Sequence, residues 1–292
     1  MTGLAPIDGL VVLAIVAKAT GYGAALLAMG GVLFTVIFAK RAEASVLRLA
    51  RKLAVGAALV GLAVLAVRFG IRAARISGMG LEGAMDPMML GFVWESPLGT
   101  AAIWRGIGEL AILAIVVPRM GKWIALAGSV AVAISFAQVG HALGDPRAAL
   151  ASLLVLHLLA AAFWVGALIP LRRAALTSAG ADILHSFGTT AAYGVAALIV
   201  AGTTLAWLLS GSVTALFGTA YGLGLLLKVA IVAVLLGFAA LNKVKLVPAV
   251  RAEEPGAIHA LQRSISMEIS AVAVILLATA TITIVMTPPV NL

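Results

Sequence analysis

Residues 220–241 read AYGLGLLLKVAIVAVLLGFAAL, and Lys228 is the single formal charge in the run. About 20 mostly apolar residues cross the ~30 Å hydrocarbon core of a bilayer as a helix, since each residue rises about 1.5 Å. A helix also pairs its own backbone groups, which hydrocarbon demands. The run therefore predicts a transmembrane helix. Seven more runs of this kind occur, at about 9–39, 46–69, 98–117, 121–142, 148–170, 186–210 and 264–287. Only 11% of the 292 residues are charged and 63% are hydrophobic, far from the near-quarter charged fraction of a soluble domain. The expected fold is an all-α integral membrane protein, a bundle of about eight transmembrane helices forming one polytopic domain over residues 1–292. The leader MTGLAPIDGL lacks a basic n-region and is not expected to be a cleavable signal peptide.

The net charge of +9 reads as a sidedness signal and does not call for nucleic acid. Connections after spans one, three, five and seven carry thirteen Lys or Arg: 40, 41, 48, 51, 52, 119, 122, 172, 173, 243, 245, 251 and 263. The opposite side carries five: Arg68, Arg72, Arg75, Arg105 and Arg147. The positive-inside rule then puts the first group in the cytoplasm and both termini outside, in the periplasm of a bacterium.

On the outer side lies the longest expected connection, 70–97, which contains GMGLEGAMDPMML (Gly78–Leu90) with Met79, Met85, Met88 and Met89. Gly78, Gly80 and Gly83 are expected to keep its backbone loose. Asp86 and Pro87 suit the N-cap and first position of a short helix. The chain has no cysteine, so a thiolate metal site is excluded and a soft metal must be met by Met and His.

Ionisable residues inside spans need a reason. Lys18, Glu109, His157 and Lys228 come from four spans yet share a depth of roughly 12–16 Å from the outer face. One reading is an internal ion pair of Glu109 with Lys18 or Lys228 that fixes helix packing. The other is a polar cavity open to the outside, because one carboxylate does not balance two lysines. Glu268, about one turn from the inner face, is expected to snorkel or to pair with Arg263. Of four histidines, His185 and His259 fall near cytoplasmic connections. His141 ends span four and His157 is buried in span five, offset by about 10 Å along the membrane normal, which suits successive stations better than one shared ion. Thioether and imidazole without thiolate fit Cu(I) better than zinc, calcium or magnesium. Packing alone is the competing reading of the methionines.

At these residues the chain resembles the copper-resistance D family (CopD/PcoD). The likeness rests on LHLLAAAFWVGALIPL (Leu156–Leu171), HSFGTTAAYGVAALIVAGTTLAWLL (His185–Leu209), YGLGLLLKVAIVAVLLGFAALNKVKLVPAV (Tyr221–Val250) and LQRSISMEI (Leu261–Ile269). SFAQVGHA, GMGLEGAMDP and SPLGTAAIWR in the earlier half also fit, with a CopD-like core at about 121–287. The resemblance implies a multi-pass bacterial inner-membrane protein that moves copper, inward, beside a separate periplasmic CopC-like donor. His157, Trp164 and Gly166 match its span-five pattern, Lys228 and Asn242 its span-seven pattern, and His141 its GHA ending. The expectation is a transporter and not an enzyme: the methionines capture Cu(I), His141 and His157 pass it on, Trp164 walls the path, and Lys228 with Glu109 rearranges charge. No GxxxxGK[ST] loop is present for direct ATP drive. Two rivals are a b-type cytochrome, which needs paired histidines at equal depth, and a non-transporting copper sensor or assembly factor.

Overall fold

The structure is a computed structural model that describes residues 6–210 and 212–286. Its helices are α1 (Gly9–Ile37), α2 (Ala44–Ser77), α3 (Pro87–Glu95), α4 (Pro97–Leu113), α5 (Gly121–Phe136), α6 (Arg147–Ala174), α7 (Gly180–Ser210), α8 (Val213–Gly218), α9 (Ala220–Leu241), α10 (Val247–Arg251) and α11 (Ala257–Val285). Seven helical stretches among the described residues are long and apolar enough to cross a membrane. The eighth expected span is α5, which has only 16 residues, or about 24 Å of helix. The chain leaves the helix after Phe136, and Gly140–Leu143 forms a separate 3-10 turn. Residues 137–142 therefore do not complete span four as expected. The backbone of His141 sits in that turn; its side chain lies outside the described residues.

Helix α2 departs in the other direction, running to Ser77 and not ending near residue 69. Ile71, Ala73 and Ala74 are buried while Arg72 is exposed, so an amphipathic turn continues the helix past the apolar run. Gly78 ends it in the left-handed conformation, at φ 69°. The long loose loop is thus mostly absent. Gly80–Met85 is a 3-10 helix in which Gly83 is buried against Ser77, and α3 follows at once. The start of α3 is as expected, with Pro87 in the first turn and Asp86 accepting from the Met89 amide at 2.9 Å.

The centre of the bundle is built on small residues, as membrane helices require in the absence of a hydrophobic force between them. A Cβ on Gly30 of α1 would lie 2.0 Å from the Ala162 carbonyl oxygen and 2.6 Å from Gly166 Cα of α6. The two backbones touch, and α1 is the axis against which α2, α5, α6 and α11 pack. Phe34, Phe38, Trp164, Leu168, Leu261 and Ile265 fill one core; Met29, Val32, Ile112 and Val132 fill a second beside α4 and α5. Helix α7 packs on α6 and α9 on α11. Both turn many large apolar side chains outward, among them Tyr193, Val200, Leu227 and Val234, as lipid-facing helices do.

Candidate functional site

The polar residues of the spans separate into three places, where one shared cavity was expected. The first is in the middle of the bundle, with Glu109 about 18 Å along α4 from the end next to the methionines. Glu109 is fully buried, yet its partner is neither Lys18 nor Lys228. Arg105, one turn earlier on α4, pairs with it at 3.4 Å. Arg105 also donates from Nε to Ser135 Oγ at 3.1 Å and lies over the Phe136 ring at 4.0 Å. Arg105, counted in the sequence among the outer-side charges, is buried within the bundle about 12 Å along α4. The i,i+4 spacing that brings it to Glu109 is visible in the sequence. Close approach of α2 leaves space for this pair: a Cβ on Gly61 would meet Glu109 Oε1 at 2.2 Å.

Lys18 has a different environment. Its Nζ donates to the Thr283 carbonyl at 3.3 Å, in the last turn of α11, where helix carbonyls are left free and the dipole is negative. Arg68, Arg72 and Arg75 are close enough to act on it electrostatically. Lys18 thus belongs to a basic cluster that makes no ion pair with Glu109 but reaches Arg105 through two rings: its Nζ lies 6.0 Å from the Tyr22 ring, and Tyr22 packs on the Phe136 ring that Arg105 covers.

The second place joins His157 and Lys228. His157 stands about 15 Å along α6 from its start, and its ring lies beside Leu198 and Gly202 of α7. A Cβ on Gly202 would be 3.5 Å from His157 Cε1, so α7 keeps room next to the imidazole. Lys228 of α9 acts on the ring electrostatically. The buried Nδ1 atom has no hydrogen-bond partner within 3.5 Å, the Leu198 backbone being the polar group that acts on the ring, and a neutral imidazole keeps one nitrogen lone pair for a ligand. His185 is about 25 Å from Gly202, near the start of α7, too far to face His157 across a shared group.

The third place was not expected. Glu268 is 2% exposed; it neither snorkels nor pairs with Arg263, which is exposed. Helix α11 begins at Ala257 and not near residue 264, which puts Glu268 about 16 Å into the helix. Trp164 Nε1 donates to its Oε2 at 3.1 Å, and Asn242 Nδ2 donates to its Oε1. Asn242 opens a π-helical turn, Asn242–Leu246, between α9 and α10. Trp164 and Asn242 were both singled out in the sequence; the carboxylate that unites them was not. Its signal was a Glu one turn after a Ser on the apolar side of SISME.

The methionines remain apart. Met79, Met85 and Met88 are exposed, Met85 at 80%, and Met89 is half-buried. Among the described residues no group of three or more His, Asp or Glu is placed to hold a metal. Any soft ion is left to single imidazoles and thioethers, a donor set that suits Cu(I).

Residues 7–146 match the family model described as copper resistance protein D-like, N-terminal domain. Residues 181–282 match the model described as copper resistance protein D. His157 and Trp164 lie in the stretch between the two matches. No curated protein and no solved structure matches the chain.

Proposed function

Because the chain belongs to the copper resistance D family, a group of multi-pass membrane proteins related to copper resistance and transport, we propose that it carries Cu(I) inward across the bacterial inner membrane. Copper is the cargo and the protein a carrier, with no chemical step on a substrate. In this reading both termini and the methionine segment face the periplasm, and the strongly basic connections face the cytoplasm. Met79, Met85, Met88 and Met89 take the ion from a separate CopC-like donor, and exposed thioethers are suited to a transfer that must be fast and reversible.

The observation that carries the reading is the buried imidazole of His157, whose Nδ1 makes no hydrogen bond within 3.5 Å, next to the space left by Gly202. A neutral imidazole there offers a nitrogen lone pair to a soft cation inside the hydrocarbon. His141, in the turn before α6, is the station above it. Lys228 opposes a resident positive charge and so favours onward movement of the ion. Trp164 stands seven residues after His157, two turns along the same face of α6, and walls the route further in. Glu109 with Arg105 ties α4 to α5 through Ser135, apart from His157.

Copper accumulation in proteoliposomes tests the proposal, with wild type compared with His157→Ala at matched protein level. Saturable copper entry that the substitution removes supports it. Entry at the wild-type rate in His157→Ala returns the histidine to a packing role, and no copper entry in wild type leaves a sensing or assembly protein.

A further inference from the structure

Glu268 has an arrangement that copper binding does not use. Its two oxygens are held by neutral donors, Trp164 Nε1 and Asn242 Nδ2. The polar groups near it are Trp164 from α6, Asn242 from the π turn, and Ser264 one turn earlier on α11; none is charged. Arg263 and Lys243, close in sequence, are exposed, and among the described residues no ion pair reaches Glu268. An ionised carboxylate in hydrocarbon without a countercharge is costly. Two donors aimed at its oxygens favour that same ionised state. The opposing tendencies leave neither state locked.

A second observation is spare hydrogen-bonding capacity. Asn242 Oδ1 and Ser264 Oγ are both buried and without hydrogen-bond partners. An ionised carboxylate only accepts, whereas a carboxylic acid must also donate. An amide serves both states: its NH2 donates to the carboxylate, and after a half-turn its carbonyl accepts from the acid. Trp164 only donates, so it stays on Oε2 throughout. The π turn that places Asn242 is a backbone feature found frequently at functional sites.

We propose that Glu268 is an exchangeable proton-binding site within the membrane, with Asn242 as the group that turns over between its two states. A proton from water adds to Oε1, converting carboxylate to carboxylic acid, and the new O–H donates to Asn242 Oδ1. On release the proton returns to water and the amide turns back. No electron moves and no other bond changes. The site is separate from His157, so the inference holds or fails independently of copper binding there.

Infrared spectroscopy of the full chain in lipid, without copper, tests it by titration in H2O and D2O. The expected result is a deuterium-sensitive carboxylic C=O band that grows on acidification, is lost in Glu268→Gln and persists when the other buried carboxylate is removed together with its partner in Arg105→Gln/Glu109→Gln. Glutamine copies the shape and hydrogen bonding of the neutral acid, so this variant should fold. In Asn242→Leu the band should move to the higher frequency of an acid with no acceptor. A titrating band unchanged in Glu268→Gln, or no titrating band at all, overturns the proposal. Should the glutamine variant not be recovered, Glu268→Asp decides by the same reading: a displaced band supports the site and an unmoved one overturns it.

Discussion

Trp164 and Glu268 are joined by a 3.1 Å hydrogen bond across α6 and α11, although 104 residues separate them in the chain. Trp164→Phe keeps most of the aromatic volume and removes the donor. A hydrogen bond contributes about 0.5–1.5 kcal/mol to the neutral acid and about 1.5–3 kcal/mol to the carboxylate, so a fall in the melting temperature of the solubilised protein, larger at high pH, is expected. Combined with Glu268→Gln, the substitution should cost less than the sum of the two single changes, which a double-mutant cycle will read.

Arg105 and Glu109 should depend on each other and not on Lys18 or Lys228. Either Arg105→Gln or Glu109→Gln leaves a buried charge alone, a change that costs about 3–5 kcal/mol in such pairs. The double variant should recover a large part of that loss. Equal coupling of Glu109 to Lys18→Met would remove this assignment.

Gly30→Val should be among the most damaging substitutions in the chain. The added Cβ alone enters the Ala162 carbonyl oxygen at 2.0 Å, and backbone has no room to give while α1 and α6 remain in contact. The expected outcome is near-complete loss of folded protein in the membrane fraction. Gly56→Val, where nothing lies within 4 Å, should be recovered at nearly normal yield.

Replacing Met79, Met85, Met88 and Met89 together by Leu preserves apolar volume and removes the sulfur donors. Copper entry at limiting external copper should weaken, with much of the maximum rate retained. Unchanged entry at limiting copper would leave these residues without a capture role.

His157→Gln separates ligation from hydrogen bonding. The amide retains polarity but lacks a soft nitrogen donor, so transport should fail as is expected for His157→Ala, while thermal stability stays close to wild type. Restored transport in His157→Gln would point to a hydrogen-bonding role for the ring.

The spans were legible in the sequence because bilayer thickness and backbone pairing convert directly into apolar run length, a one-dimensional property. The N-cap of α3 at Asp86 was legible for the same reason, since its amide partner, Met89, is three residues away. Depth along a helix was legible only where the helix ends had been placed correctly. Glu268 was misjudged because α11 starts earlier than its apolar run, and α5 because it stops short. Which side chains meet was a different matter. Glu109 had two lysines at matching depth and an arginine one turn away, and rotation of α4 against α2 and α5 selected the arginine. Trp164, Asn242 and Glu268 come from three helices, and charge and apolarity along the chain carry no information on how helices are turned about their axes. In a bilayer that choice falls to close packing at residues such as Gly30 and Gly166, and to the need of each buried polar group for a partner.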